Sequence, residues 1–487
     1  PTGSDTNPGT SVAPWKTFAF AIPKLNPGDT LILRDGTYTA ADSGQVSINC
    51  SSTGNAKNGA AGAPITIRSE NERRAFIKGD GTSAAALIRE CSWWNFEGLR
   101  VENIDNPAYT LSGAPAFWFS NTNNSALKRS IIRNPNWYGN NEAIAITAGS
   151  YNLLIEENEV LFFHRNGIDS SCTACHDITI RRNYVNTQSK PPNSQFGPQD
   201  CVVQYGQGNW LIENNVVENC AGISFTMNGI GGRYLGNMVL KGSLAFSVSH
   251  GWQEYNATTP MGSNAVIRDF VAIGTSNGFS NRTPTNALFE NFTIFGVSGH
   301  GFVADNVYDA RRPGASTGCN NNPCIHQHTP SVTVRNALVI DTFRGYTIGD
   351  ASEFSTRIFE YSHGWNNADG TWRTGTETRD LATTPPNPPG NVDPAFGACR
   401  LWVPDASPMK GKGKNGADIG ANVLYRYENG VLTNQPLWDP VTGAFPHGAI
   451  VAGVNDIAGS SAFDVHKRLN VNTNGCLFPA GYGGTVT

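Results

Sequence analysis

A short pattern returns along the middle of this sequence: an apolar residue, any residue, an apolar residue, about two polar residues, Asn or a stand-in, then an apolar pair. It reads LLIEENEV in the 151–160 region, ITIRRNYV at 178–185, WLIENNVV at 210–217, RYLGNMVL at 233–240, AVIRDFVA at 265–272, ALFENFTI at 287–294 and VTVRNALV at 332–339. The central residues are Asn158, Asn183, Asn215, Asn237, Asp269, Asn291 and Asn336, at spacings of 25, 32, 22, 32, 22 and 45. Strict alternation is the mark of a strand with one buried face. An irregular period of about one solenoid coil means that each repeat buries its apolar side chains only when neighbours stack on it. The chain is therefore expected to be all-β, a right-handed parallel β-helix, with Asn183, Asn215, Asn237, Asn291 and Asn336 as a buried ladder of amides. A β-sandwich has the same alternation, but it gives no reason for an Asn fixed in place beside each apolar pair.

Composition agrees. Only 15% of residues are charged, against 53 Gly and 28 Pro, which suits many short strands joined by tight turns. A net charge of −4 gives no basic surface for nucleic acid, and no run of 18 apolar residues is present to span a membrane. No signal peptide is visible, and the start at Pro1 reads as a processed or trimmed terminus.

The ends mark the limits of the solenoid. PWKTFAFAIPKL carries Trp15, Phe18, Phe20, Ile22 and Leu25 and is expected to form a short helix covering the first coil, whose apolar face and strand edge are otherwise bare. We assign residues 1–30 to this cap and 31–375 to the coils. A Pro-rich segment with closing coils follows at 376–422, and 423–487 is a tail packed on the solenoid, with a small separate domain as the alternative. Ten cysteines, an even and scattered set that includes Cys172/Cys175, Cys201/Cys220 and Cys319/Cys324, read as disulfides of an oxidising compartment. CTACH (Cys172, Cys175, His176) has the c-type haem spacing, but it leads straight into a strand with no axial partner, so a disulfide is preferred. GCNNNPCIHQH, with His326 and His328, is read as a disulfide-closed loop, with zinc or substrate contact as alternatives.

Several segments resemble secreted bacterial β-helix proteins of the pectate-lyase-like superfamily: GSDTNPGTSVAPWKTF with LNPGDTLILRDGTY, then GAPITIRSENERRAFIKGDG, FEGLRVENI and DPAFGACRLWVPDASPMKGKG with GADIGA. Together they span most of residues 1–422. The resemblance implies the β-helix fold and secretion. It leaves the activity open, because the superfamily holds pectate, alginate and chondroitin lyases, glycoside hydrolases, epimerases and non-catalytic surface proteins. A local stretch is similar to the active-site coils of polygalacturonases, but His164-Arg165-Asn166 stands for their Asn-Thr-Asp and Gln199-Asp200 for their Asp-Asp, while Ala221 replaces their His. Asp200 alone survives, and one carboxylate cannot act as both acid and base.

After each repeat comes a residue, a small residue and an apolar one: NGI (166–168), AGI (221–223), LAF (244–246), NGF (277–279), HGF (300–302) and RGY (344–346). Stacking puts Asn166, Ala221, Leu244, Asn277, His300 and Arg344 in one column, with Met227, His250, Arg282, Asp305 and Asp350 in a second. Ionisable residues gather in the later coils. The expected site is therefore their outer face, with His300, His250, Arg282, Arg344 and Asp305 as catalytic candidates and Tyr255, Tyr308, Arg311, Trp365 and Asp200 as substrate contacts. Aromatic faces hold sugar rings, Arg takes carboxylates, and His or Arg moves a proton. The expected function is an extracellular enzyme acting on a polysaccharide, more specifically an acidic one, by β-elimination first and glycoside hydrolysis second. The alternative is a non-catalytic, adhesive or filament-forming surface protein, for which self-association is open. No cofactor is required by these motifs, and the metal is left unspecified with Ca2+ as the option.

Overall fold

The computed structural model describes residues 3–104, 106, 114–134, 142–170, 172–187, 200–206, 208–248, 264–281, 286–304, 331–348, 356–370, 372–374, 392–445, 463–473 and 475–483. They form a right-handed parallel β-helix whose coil strands run from Thr30–Leu33 to Trp372–Thr374. The described residues divide into two compact units, one before and one from Gly208, inside the span expected to be one solenoid.

In the first unit each coil contributes three short strands. Thr30–Leu33, Ile65–Ser69, Trp94–Glu97, Asn123–Lys128, Tyr151–Glu156 and His176–Arg181 pair in parallel, in that order, along one face. A second face runs from Gly36–Thr39 to Tyr184–Asn186, and a third from Val46–Asn49 to Val202–Gln204. Alternate side chains point inward, so Ile65, Ile67, Trp94, Phe96, Phe117 and Phe119 are all buried. The cap forms as a helix at Phe18–Ala21, whose first turn is closed by the Thr17 hydroxyl accepting from the Phe20 N–H. Phe18 packs on Tyr38 at 5.6 Å between ring centroids.

In the second unit strands run on through the corners, as in Val216–Met227, Met238–Val248 and Val266–Asn281. In-register pairing stacks Phe225, Phe246, Phe279, Phe302 and Tyr346 in one interior column. Ring centroids there lie 5.9 Å apart for Phe246 and Phe279 and 6.1 Å for Phe279 and Phe302. Such stacking of large apolar rings supplies much of a solenoid's core.

The recurring Asx residues occupy two columns. In the first unit the Asn183 Oδ1 accepts the Asn158 backbone N–H at 2.9 Å and its amide at 3.0 Å. In the second unit Asn237 Oδ1 accepts the same pair from Asn215. All four are fully buried. The residue before each, Glu157, Arg182, Asn214 or Gly236, has positive φ. At Asp269, Asn291 and Asn336 the Asx residue itself has positive φ, and Leu235 pairs with Arg268 while Phe270 pairs with Phe292. Asn291 and Asn336 therefore stand one residue away from the position of Asn215 and Asn237. Phe270, Phe292 and Ala337 fill the buried place there. Asn291 is only half-buried, although Asn336 Nδ2 still donates to its Oδ1 at 2.8 Å.

Segment 392–445 lies along this displaced column. Phe396, Val403, Met409 and Ile419 share a buried cluster with Leu338 and Ile340 of the coils. Lys414 and Ala421 donate backbone N–H groups to Asn336 Oδ1 at 2.7 Å and Thr293 Oγ1 at 2.9 Å. A disulfide joins Cys399 to Cys476, and Arg468 bonds Glu218.

Candidate active site

A cluster of buried ionisable groups sits at a corner of the first unit. Ile144–Thr147, Ile168–Ser170 and Val202–Gln204 pair in parallel, with Ile144 opposite Ile168 and Ile168 opposite Val202. Those apolar residues point into the core. Alternation turns Asp169 to the outer face beside Ala145 and Val203. Two positions before each apolar residue stand Glu142, Asn166 and Asp200, and the same register stacks them in one column. Backbone bonds hold that column: Ala143 N–H to Asn166 O at 3.0 Å and Gly167 N–H to Asp200 O at 3.2 Å. The corner is tight, because a Cβ on Gly167 would stand 2.5 Å from the Cys201 carbonyl oxygen. Gly167 is thus required for the close approach.

Asn166 ties the acids together. Its Nδ2 donates to Asp169 Oδ2 at 2.9 Å, and its Oδ1 accepts the Asp200 N–H at 3.2 Å. Glu142, Asn166 and Asp169 are all buried. Burial pushes the Glu142 carboxyl up to about 8, and the negative charge of Asp169 adds to the shift, while Arg165 opposes it. Glu142 therefore carries a proton at neutral pH next to a carboxylate. Arg165 Nε is buried without a hydrogen-bond partner. Trp118 shares the outer row of Ala145 and Asp169, its Nε1 donating to Thr147 Oγ1 at 2.8 Å. Asp169 and Trp118 share this outer row, and Glu142 is within electrostatic reach of both Asp169 and Arg165, so a proton donor, a carboxylate, a guanidinium and an indole meet at one corner.

Of the expected site residues, His250, Tyr255, Arg282, Asp305, Tyr308 and Arg311 lie outside the described residues, as do Asp350, Cys319, Cys324, His326 and His328. His300 and Arg344 are brought together in the second unit as cross-strand neighbours. There His300 Nδ1 lies 3.0 Å from Thr347 Oγ1, and Arg344 pairs with Asp369. Ala221 does not join their column, because the register shifts between Cys220 and Ile223 and sets Ile223 opposite Leu244. Trp365 packs partly buried against the Leu338–Ile340 cluster. Asp200 stands in the Glu142–Asn166 column of the first unit. Cys172 and Cys175 are disulfide-bonded to each other, and His176 Nδ1 contacts Asp177 Oδ2 at 2.6 Å. Cys201 and Cys220 are each disulfide-bonded, and Cys50 pairs with Cys91.

Glu142, Arg165, Asp169 and Trp118 are the residues that sequence reasoning missed. The signal was present. Glu142-Ala143-Ile144 and Asp200-Cys201-Val202 have the same form as Asn166-Gly167-Ile168, a residue, a small residue and an apolar one. Aligning those three triplets gives the column directly.

Residues 1–163 match the Pel9A-like right-handed β-helix region. The pectate lyase PEL9 of Emericella nidulans is 30% identical over 118 residues, which are 21% of this chain and 27% of that protein. The match thus spans about a quarter of the relative's length. Among solved structures, the pectate lyase Pel9A is similar at 15% identity and a TM-score of 0.38, over 86% of this chain and 94% of that one. The PL6 family alginate lyase AlyGC is similar at 14% identity and a TM-score of 0.40, over 74% of this chain and 53% of that one.

Proposed function

We propose that this chain is a secreted carbohydrate-active enzyme that cleaves a polysaccharide at the Glu142–Asp169 corner. The observation that carries the reading is the buried pair itself, a carboxyl raised to about 8 beside a negative carboxylate. Two carboxyl groups pushed apart in this way divide the work of acid and base. In glycoside hydrolysis, Glu142 gives its proton to the departing glycosidic oxygen. Asp169 faces the sugar carbon as base toward water or as nucleophile, and water completes the two new ends. Arg165, with its buried Nε unengaged, offers a fork for a sugar carboxylate, which favours an acidic polysaccharide. Disulfides at Cys50–Cys91, Cys172–Cys175 and Cys399–Cys476 support an extracellular setting.

β-Elimination is the second reading, favoured by the match of residues 1–163 to the Pel9A-like region. There Arg165 would neutralise the sugar carboxylate, Asp169 would take the proton from the carbon next to it, and Glu142 would protonate the leaving oxygen as the double bond forms. Calcium does not suit the described residues. No group of three or more His, Cys, Asp or Glu among them converges to hold a metal ion. A surface or adhesive role gives this buried acid pair no task.

The test is incubation with pectate, alginate, chondroitin, xylan and neutral glucans, read by reducing ends and ultraviolet absorbance. Hydrolysis yields reducing ends alone, whereas elimination adds an absorbing double bond. No cleavage of any polymer, or full cleavage by Glu142→Gln, would remove the proposal.

A further inference from the structure

A second buried carboxyl stands apart from that corner, in the other unit. Asp269 is 5% exposed and occupies a turn with φ of 50°. Its Oδ2 accepts the hydroxyl of Tyr427, which comes from the C-terminal segment. The same tyrosine's backbone N–H bonds Asn214 Oδ1, two coils before Asp269 in the same turn column. The grip continues on either side. Gly430 N–H donates to Glu213 Oε2 at 3.2 Å, and Arg233 Nη2 donates to the Gly430 carbonyl at 3.0 Å. At the far end Lys414 Nζ reaches Glu360 at 2.5 Å, and Gly420 N–H donates to the Asn336 carbonyl at 2.9 Å. Positive φ at Asn214, Asp269 and Asn336 turns three Asx side chains outward, and the segment from Lys414 to Gly430 is laid across them.

We propose that this segment is a pH-responsive clasp whose docking on the second unit is controlled by the protonation of Asp269. Four groups face the carboxyl. Tyr427 donates its hydroxyl, Asn422 donates a backbone N–H, Arg268 lies beside it on the same strand, and Glu290 lies on the next coil. Arg268 is already engaged with Glu290 at 2.8 Å, so its charge is largely spoken for. Burial dominates and holds the carboxyl at about 6, with Glu290 acting in the same direction and Tyr427, Asn422 and Arg268 opposing. A carboxyl released to water titrates near its ordinary value of about 3.9. The docked state therefore binds a proton that the released state gives up. Docking is favoured in acid and weakens as pH rises through about 6. Tyr427 is itself raised by burial and by Asp269, so it stays a hydroxyl donor throughout.

Hydrogen exchange on the full chain tests the clasp. After correction for the intrinsic rate, the opening equilibrium at the Tyr427 amide should rise by about tenfold between pH 5 and pH 7.5, the change that linkage gives for values near 6 docked and 3.9 released. Asp269→Asn keeps the turn, since Asn tolerates positive φ, and keeps an acceptor for the tyrosine. It should hold the opening constant over that range. Tyr427→Phe should open more at both values and keep the pH slope. A wild-type opening constant independent of pH, or an Asp269→Asn chain with the wild-type slope, would overturn the proposal. Both readouts are independent of catalysis.

Discussion

The side-chain oxygen of Asn237 takes two hydrogen bonds from Asn215, one from its backbone N–H at 2.9 Å and one from its amide at 3.0 Å. Both residues are sealed from water. Asn215→Ala should cost about 1–3 kcal/mol, because Asn237 keeps a buried acceptor with nothing left of the side-chain bond. Urea melts of the two proteins measure this. Position 291 should behave differently. Its positive φ of 52° suits glycine, and the side chain is half-buried, so Asn291→Gly should change stability by under about 1 kcal/mol. Equal losses at 215 and 291 would mean that the two columns are not distinct.

The contrast between these columns also says what could be read from the sequence. Alternation and the recurring Asx exposed the coils and their parallel pairing, and the apolar PWKTFAFAIPKL segment exposed the cap helix at Phe18–Ala21. Phase was not legible. Asn237 and Asp269 sit in look-alike octapeptides, yet RYLGNMVL places Gly at the left-handed turn and AVIRDFVA places Asp there. A one-residue slip in such a pattern exchanges a buried rung for a turn, and only cross-strand register reveals it. The acid corner escaped for a related reason. His300 and Arg344 drew attention as titratable residues of the later coils, whereas triplet alignment stacks Glu142 with Asn166 and Asp200 but does not record the burial that sets Glu142 and Asp169 apart.

The two units give opposite expectations for His300. With chemistry at the Glu142–Asp169 corner, His300→Ala loses only its contacts with Thr347 and its neighbours and should retain turnover within about twofold. If the outer face of the later coils carries the chemistry, the same change should cost about 10²-fold. Rate measurements on whichever polymer is cleaved decide between them, with thermal melts to confirm folding.

The disulfide between Cys399 and Cys476 closes a loop of sequence separation 77 around the closing segment and the tail. A long loop restrains the unfolded chain strongly, by about 4 kcal/mol in the chain-entropy account. The Cys399→Ser, Cys476→Ser double variant should unfold at distinctly lower denaturant. The corresponding pair at Cys172 and Cys175, separated by only 3 residues, should cost less than half as much. Thiol titration of denatured, unreduced protein should find the described cysteines blocked.

Glu142 gives two pH dependences that share one cause. Its carboxyl is held up to about 8 by burial and by Asp169, so it is a proton donor at neutrality and loses that role as pH passes 8. Turnover should therefore fall on the alkaline side with a limb near pH 8. Glu142→Gln should fall by about 10²-fold or more, since an amide cannot deliver the proton. Stability follows the same proton. The folded value lies above the unfolded one, so the stabilising share of neutral Glu142 is complete below about pH 4.3 and is lost progressively as pH rises toward 8. Glutamine never ionises, and the variant should gain on the wild type in melting temperature as the pH is raised, with little difference at pH 4. An active Glu142→Gln chain, or one whose melting temperature tracks the wild type at every pH, would show that this carboxyl neither donates the proton nor is buried as an acid.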